Sequence, residues 1–308
     1  MTVNIQTVLD DINQDVRNQF DTFEGKVADY IPALSRMPAD RFAMAVYGVD
    51  GTFCHTGDAH QRFTIQSVSK VLTLTLALQR YGDSLWDRVG KEPSGTAFNS
   101  LTQLEFEGGK PRNPFINAGA IVTCDALYSR LSAPTHHMLE TLRSLSNNPR
   151  LTINAIVARS EFEHRHRNAA MAHLMKSFGN FENDVEDVLR AYFSFCAIEM
   201  CTTELARAFS YLANKGEAVA DGQHVLSSKQ NSQLNSLLFT SGLYDASGDF
   251  AYRVGMPGKS GVGGAILAVV PGRFTVAVWS PKLNRYGNSS AGIYALEQFA
   301  DRLNLHLF

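Results

Sequence analysis

Ser67-Val68-Ser69-Lys70 sets a hydroxyl and an amine three residues apart. On a helix, positions i and i+3 share a face, so the Lys70 amine can reach the Ser67 hydroxyl. Serine is a weak nucleophile until a neighbouring base takes its proton, and lysine becomes such a base when burial lowers its pKa toward neutrality. A helix start adds a positive backbone field that favours developing negative charge. This chemistry fails on a strand, where the two side chains would face opposite sides. The residues that follow, Leu72-Thr-Leu-Thr-Leu-Ala-Leu78, alternate at period two and on pattern alone read as a strand. A helix buried on most sides accommodates the same residues and is the preferred expectation.

Any Ser-x-x-Lys arises about once by chance in a chain of this length, so a second element is needed. Lys259-Ser260-Gly261-Val262-Gly263-Gly264 supplies one. At a strand edge it offers a cation, a hydroxyl and a backbone that a substrate carbonyl can approach, with an N–H such as that of Val262 to hold an oxyanion. Alone, it reads as a Gly-rich bulge with a surface lysine. An early Ser-x-x-Lys and a late Lys-Ser-Gly, with a helical stretch between, is the pattern of active-site-serine penicillin-recognising enzymes. The third part of that pattern, Ser-Asp-Asn, is missing from the middle of the chain. A tyrosine phenol can take over proton relay. Tyr192, in Ala191-Tyr192-Phe193, and Tyr244, in Gly242-Leu243-Tyr244, are the candidates, although a tyrosine more commonly packs with its hydroxyl satisfied.

Residues 161–168, Glu-Phe-Glu-His-Arg-His-Arg-Asn, read by default as a solvated charged face. His164 and His166 are two residues apart, a poor spacing for one helix face to ligate a metal, and no metal site is expected. Four cysteines, Cys54, Cys124, Cys196 and Cys201, form no Cys-x-x-Cys pair and read as reduced, mostly buried thiols.

The elements that must position these groups are legible in outline. Residues 3–23 are expected to form an amphipathic helix through Ile5, Val8, Leu9 and Ile12, and 25–32 a loop ended by Pro32. Residues 41–58 read as a hairpin turning at Asp50-Gly51. A long middle, 67–240, is helical in texture. A second hairpin turns at Pro271-Gly272, and a closing amphipathic helix covers about 290–304 with Ile293, Leu296, Phe299 and Leu303 on one face. The expected class is α+β: an antiparallel sheet with flanking helices built from both chain ends (1–66 and 245–308), plus an inserted all-helical domain (67–244).

The 308 residues are 44% hydrophobic and 19% charged, enough to bury a core without disulfides or metal. A formal net charge of −2 makes no electrostatic case for nucleic acid or anionic membrane as a partner. The N-terminus carries Asp10, Asp11 and Asp15 where a signal peptide needs a basic start and an apolar run, and no stretch reaches the roughly 18 apolar residues of a membrane span. A cytoplasmic protein acting on a small molecule is the expectation.

Taken together, segments along the whole chain resemble the serine-dependent bacterial glutaminase family, which shares the β-lactamase/transpeptidase-like fold. They include GKVADYIPALS (25–35), FTIQSVSK (63–70), PRNPFINAGA (111–120), ARSEFEHRHRNAA (158–170), YFSFC (192–196), TSGLYD (240–245) and PGKSGVGGAI (257–266). The resemblance implies hydrolysis of the side-chain amide of L-glutamine with no cofactor. It implies Ser67 as nucleophile and Lys70 as its base, with Tyr192 and Tyr244 lining the reacting amide and assisting proton transfer, and Ser260 beside them in the catalytic set. It also implies a site in the cleft between the sheet and the helical domain. The backbone N–H groups of Ser67 and Val262 would form the oxyanion hole. Glu161 would hold the substrate α-ammonium, and Asn117, Asn168 and Tyr30 would bind toward the α-carboxylate. A zwitterionic amino acid needs such an anion and such donors. A homo-oligomer, a tetramer, is also implied. Lys259 is not carried over as catalytic. The competing readings are a penicillin-binding protein or β-lactamase, and a non-catalytic amino-acid-binding or scaffold protein on the same fold.

Overall fold

Both chain ends build one sheet. The computed structural model describes residues 4–29, 31–35, 37–95 and 100–307. Asn4 opens α1 (Ile5–Asn18) by accepting the Gln6 N–H on its side chain, and Val8, Leu9, Ile12 and Val16 bury one stripe of that helix. The helix stops short of the expected residue 23, giving way to a 3₁₀ turn at Phe20–Thr22. β1 (Ala43–Gly48) and β2 (Phe53–Gly57) form the first hairpin. Its turn is closed by the Gly48 N–H on the Thr52 carbonyl at 2.7 Å, with Asp50 accepting the Thr52 N–H.

Two short strands, β3 (Phe63–Thr64) and β4 (Glu199–Met200), pair with each other and were not anticipated. β5 (Gly258–Ser260), β6 (Ala265–Val270) and β7 (Phe274–Trp279) complete the main sheet, in the order β2-β1-β7-β6-β5, antiparallel throughout. Val46 lies opposite Val276, and Val276 opposite Ala268, so strands from the two chain ends are central neighbours.

Both sheet faces are covered, which is why β1, β6 and β7 read as continuous apolar runs. Met44, Val46, Ile266, Val276 and Val278 face α1 and the C-terminal helix Ser290–Leu303. Ala45, Tyr47, Leu267, Val269 and Trp279 face the helices of the middle of the chain. In chain order those are α2 (Ser69–Tyr81), α3 (Leu101–Phe106), α4 (Asn117–Tyr128), α5 (Pro134–Ser146), α6 (Ala155–Glu163), α7 (His166–Ser177), α8 (Val185–Cys196), α9 (Thr202–Ala208) and α10 (Ser228–Ser241). α11 (Ser247–Arg253) then leads to β5, and the C-terminal helix is α12.

The alternating Leu72–Leu78 stretch is helical, within α2. Every residue from Ser69 to Leu78 is buried, so the helix has no polar face for a period of 3.6 to mark. The threonines tolerate this because their hydroxyls bond back one turn, Thr73 to the Ser69 carbonyl at 3.0 Å and Thr75 to the Val71 carbonyl at 2.9 Å. Thr75 also meets the Tyr211 hydroxyl at 2.8 Å. A polar residue that satisfies itself against its own backbone leaves no trace of the helix in the hydropathy pattern.

Candidate active site

Ser67 sits in a 3₁₀ turn, Gln66–Val68, that runs directly into α2, so Ser67 and Lys70 occupy successive positions of one continuous helical path. The residue before the serine, Gln66, has φ of +48°, a backbone state that a non-glycine side chain adopts at a cost of about 1–3 kcal/mol. The Gln66 side chain donates to Thr64 Oγ1 at 3.1 Å and also bonds Glu161. Lys70 is fully buried on α2. Its Nζ donates to Asn117 Oδ1 at 2.7 Å and to the Phe115 carbonyl at 3.2 Å. Burial pulls its pKa down to about 8, against the opposing pull of Cys196 and Glu161. A lysine in that range is partly neutral near physiological pH, as a base must be.

β5 delivers the second wall. Gly261 and Gly263 follow it, and each lies where a side chain has no room. A Cβ on Gly261 would fall 2.7 Å from the Ile65 carbonyl oxygen and 3.3 Å from the Ser67 nitrogen, and one on Gly263 would fall 2.5 Å from the Thr64 carbonyl oxygen. The two glycines therefore let the 261–263 backbone, with the Val262 N–H in it, lie against the turn that holds Ser67.

The two lysines of the sequence patterns converge on this site. Lys259 is buried, its Nζ bonded to the carbonyls of Gly242 (3.0 Å) and Ser260 (2.6 Å) and lying 4.5 Å from the centre of the Tyr244 ring. Burial and then the Lys70 charge hold Lys259 well below the usual lysine range. A surface lysine on a glycine bulge, the bland reading of this segment, is thereby ruled out.

The tyrosines take different places. Tyr244 hydrogen-bonds the Ser67 side chain, with Ser260 beside it, and burial pushes its phenol up to about 12. Tyr192, on α8, lines the same cavity as Ser67, and its hydroxyl bonds the Cys196 thiol one turn along the helix. Ser260 is fully buried at the end of β5.

Ser67 opens onto a cavity of about 280 Å³, also lined by Gln66, Asn117, Glu161, Asn168 and Tyr192. The charged run 161–168 divides there. Glu161, near the C-terminal end of α6, is buried, while Glu163, His164, His166 and Arg167 are exposed. One carboxylate oxygen of Glu161, Oε1, is buried without a hydrogen-bond partner among the described residues. Burial raises the Glu161 pKa to about 7, while the Gln66 bond and the Lys70 charge oppose the rise. Asn168, in the first turn of α7, accepts the Asn117 Nδ2 at 3.1 Å. Tyr30 lies outside the described residues.

Gln66, Cys196 and Arg167 are among the lining residues that the sequence did not single out for the site. Gln66 carried no signal, because its left-handed backbone is usual for glycine. Arg167 adjoins Asn168 and Cys196 is expected to be buried, but which cavity each side chain reaches is a tertiary fact. Among the described residues no three His, Cys, Asp or Glu side chains are grouped to hold a metal ion. No helix among them is long and apolar enough to cross a membrane.

A serine three residues before a buried lysine, glycine-lined backbone against its turn and an orphaned buried carboxylate form an arrangement that could carry acyl transfer on a small cationic or zwitterionic substrate. Comparison with known proteins gives that chemistry a family. Residues 25–308 match the family model described as Glutaminase. The chain is 67% identical over 308 residues to a glutaminase of Pseudoalteromonas translucida, covering 100% of this chain and 99% of that one. It is 57% identical over 303 residues to a glutaminase of Photorhabdus laumondii, covering 98% of each. Among solved structures, a "probable glutaminase" from Bacillus subtilis complexed with 6-diazo-5-oxo-L-norleucine superposes with a TM-score of 0.87 at 32% identity, covering 100% of this chain and 98% of that one. The "probable glutaminase ybaS" superposes at 0.88 with 36% identity, covering 96% and 98%.

Proposed function

The chain belongs to the glutaminase family and hydrolyses the side-chain amide of L-glutamine to L-glutamate and ammonia, and we propose that it does so through an ester on Ser67. The fold is β-lactamase-like, α+β with an antiparallel sheet. The observation that carries the ester is Ser67 lining the cavity, bonded by Tyr244 and three residues before the buried Lys70. Glu161 Oε1, buried without a partner among the described residues in the same cavity, supports an amino-acid substrate. A buried polar atom normally has a partner, and an α-ammonium fits this one.

In the proposed course, Lys70 takes the Ser67 proton as Oγ attacks the γ-carboxamide carbon. The carbonyl electron pair moves onto oxygen, held by the Ser67 and Val262 N–H groups. The close approach of Gly261 to the Ser67 nitrogen supports that pair of donors. The C–N bond then breaks, the amide nitrogen leaves as ammonia with the proton, and water releases glutamate from the ester. Tyr244, bonded to Ser67, supports proton relay at the leaving nitrogen, with Ser260 beside it. Tyr192 lines the reacting end of the cavity. Glu161 binds the α-ammonium, and Asn117 and Asn168 take the α-carboxylate end. The cleft between a sheet unit (1–66 and 245–308) and a helical unit (67–244) is the proposed frame, since Ser260 and Val262 come from one and Ser67, Lys70 and Glu161 from the other.

The test is ammonia and glutamate release from L-glutamine by wild type and Ser67→Ala, each checked for folding by circular dichroism. A folded, inactive Ser67→Ala supports the ester. An active one overturns it. A cytoplasmic homotetramer is the accompanying proposal, and light scattering on the purified protein reads its mass.

A further inference from the structure

Asn117 holds more than substrate. Its Oδ1 accepts from Lys70 Nζ at 2.7 Å, and the Phe115 carbonyl accepts from the same nitrogen at 3.2 Å. A neutral amine has two N–H bonds and one lone pair in a tetrahedral array. Once both N–H directions are taken by these acceptors, the lone pair has one direction left. Asn117 cannot turn its amide over to release this arrangement, because its Nδ2 donates to Asn168 Oδ1 at 3.1 Å. The flipped amide would set NH₂ against the amine and oxygen against oxygen. Asn117 thus joins two parts of the cavity, the base on α2 and Asn168 at the start of α7.

We propose that Asn117 is a positioning residue for Lys70: it aims the neutral amine's lone pair at the Ser67 proton and ties that alignment to Asn168 at the α-carboxylate end of the substrate. The proposal rests on the Ser67 ester described above. The proton passes from Ser67 Oγ to Lys70 Nζ as the Oγ–C bond forms. The resulting ammonium keeps its bonds to Phe115 and Asn117, and its third proton is the one that departs with ammonia when the C–N bond breaks. A residue bound only to substrate would leave that proton step untouched.

The experiment is kcat and kcat/KM for L-glutamine against pH, in wild type, Asn117→Asp, Asn117→Ala and Asn168→Ala. The titratable groups around Lys70 are Glu161 from α6, Cys196 and Tyr192 from α8, Lys259 from β5 and Tyr244 from the turn before α11. From α4, Asp125 is paired with Arg88. Glu161 is neutralised by the substrate ammonium in the complex, so the acid limb of kcat reports Lys70. Asn117→Asp, isosteric, sets a carboxylate against the amine and moves that limb up by about one pH unit or more, with kcat recovering on the alkaline side. Asn117→Ala lowers kcat about tenfold or more with a smaller change in KM, whereas Asn168→Ala acts mainly on KM. An unmoved kcat limb in Asn117→Asp, or an Asn117→Ala defect confined to KM, overturns the proposal. If Asn117→Ala does not fold, Asn117→Asp decides alone. Ser67→Ala, run alongside, separates the failures: an active Ser67→Ala removes the ester mechanism, while an inactive one with an unmoved limb removes only the role of Asn117.

Discussion

A Cβ on Gly261 would lie 2.7 Å from the carbonyl oxygen of Ile65, so the strand end that carries the Val262 N–H and the turn that carries Ser67 are in backbone contact. The Ile65 oxygen belongs to main chain and cannot rotate away as a side chain could. Gly261→Ala must therefore separate the two segments by some tenths of an ångström. If Val262 N–H is one of two oxyanion donors, the loss is about 10²–10³ in kcat, with KM nearly unchanged. Steady-state kinetics on the folded variant check this. Wild-type kcat in Gly261→Ala would mean the donor lies elsewhere.

Tyr244 bonds Ser67 and Tyr192 bonds Cys196, so the two phenols should separate on substitution. Tyr244→Phe is expected to lower kcat about 10²-fold or more, the usual range for a proton-transfer partner. Tyr192→Phe is expected to cost less in kcat. Cys196→Ala combined with Tyr192→Phe should then add little to either alone, because both break the same bond. Parallel kinetics on the four proteins read this, and equal kcat losses in the two Phe variants would contradict it.

Lys70 must be neutral to accept a proton, and burial places its pKa at about 8. Activity is therefore expected to rise with pH and level off above about 8. Lys70→Arg keeps the charge but has no accessible neutral form, and should be folded and inactive at every pH. Activity in Lys70→Arg at pH 9 would remove the lysine from the role of base.

Much of the site was legible because its chemistry is carried by local spacing. Ser67 and Lys70 are three residues apart on one helical path, and the Asp50-Gly51 and Pro271-Gly272 turns mark two hairpins that the structure contains. What stayed hidden depends on the partner across a gap. Glu161 sits in a run whose charged neighbours are mostly solvated, and its place on the buried side of α6, with Val157, separates it from them. Nothing in Gly261 or Gly263 says which backbone comes close. The Phe63–Thr64 strand is two residues long and pairs with a segment 136 positions away, at a length where no alternation can register. Taken alone, the segment around Lys259 reads as an exposed glycine bulge, whereas in the fold a tyrosine ring and two carbonyls surround the lysine.

Glu161 offers a test in which binding and stability move in opposite directions. Burial raises its pKa from 4.5 to about 7, so the folded state keeps a proton there over a range where the unfolded chain has lost it. Below about pH 4.5 both states are protonated and burial of the neutral acid carries no ionisation penalty. As pH climbs to 7 the unfolded state binds fewer protons, so the stability of the wild type falls, by as much as about 3 kcal/mol for a shift of this size. Glu161→Gln has no such titration. It should match the wild type near pH 4 and exceed it in urea midpoint at pH 8. Its KM for glutamine should rise steeply at that same pH, because an amide cannot neutralise the α-ammonium. A variant that gains stability above pH 7 while losing affinity would identify Glu161 as a carboxylate kept buried for the substrate. If the stability difference does not grow with pH, burial does not hold a proton on Glu161, and its assignment as a buried carboxylate kept for the ammonium fails.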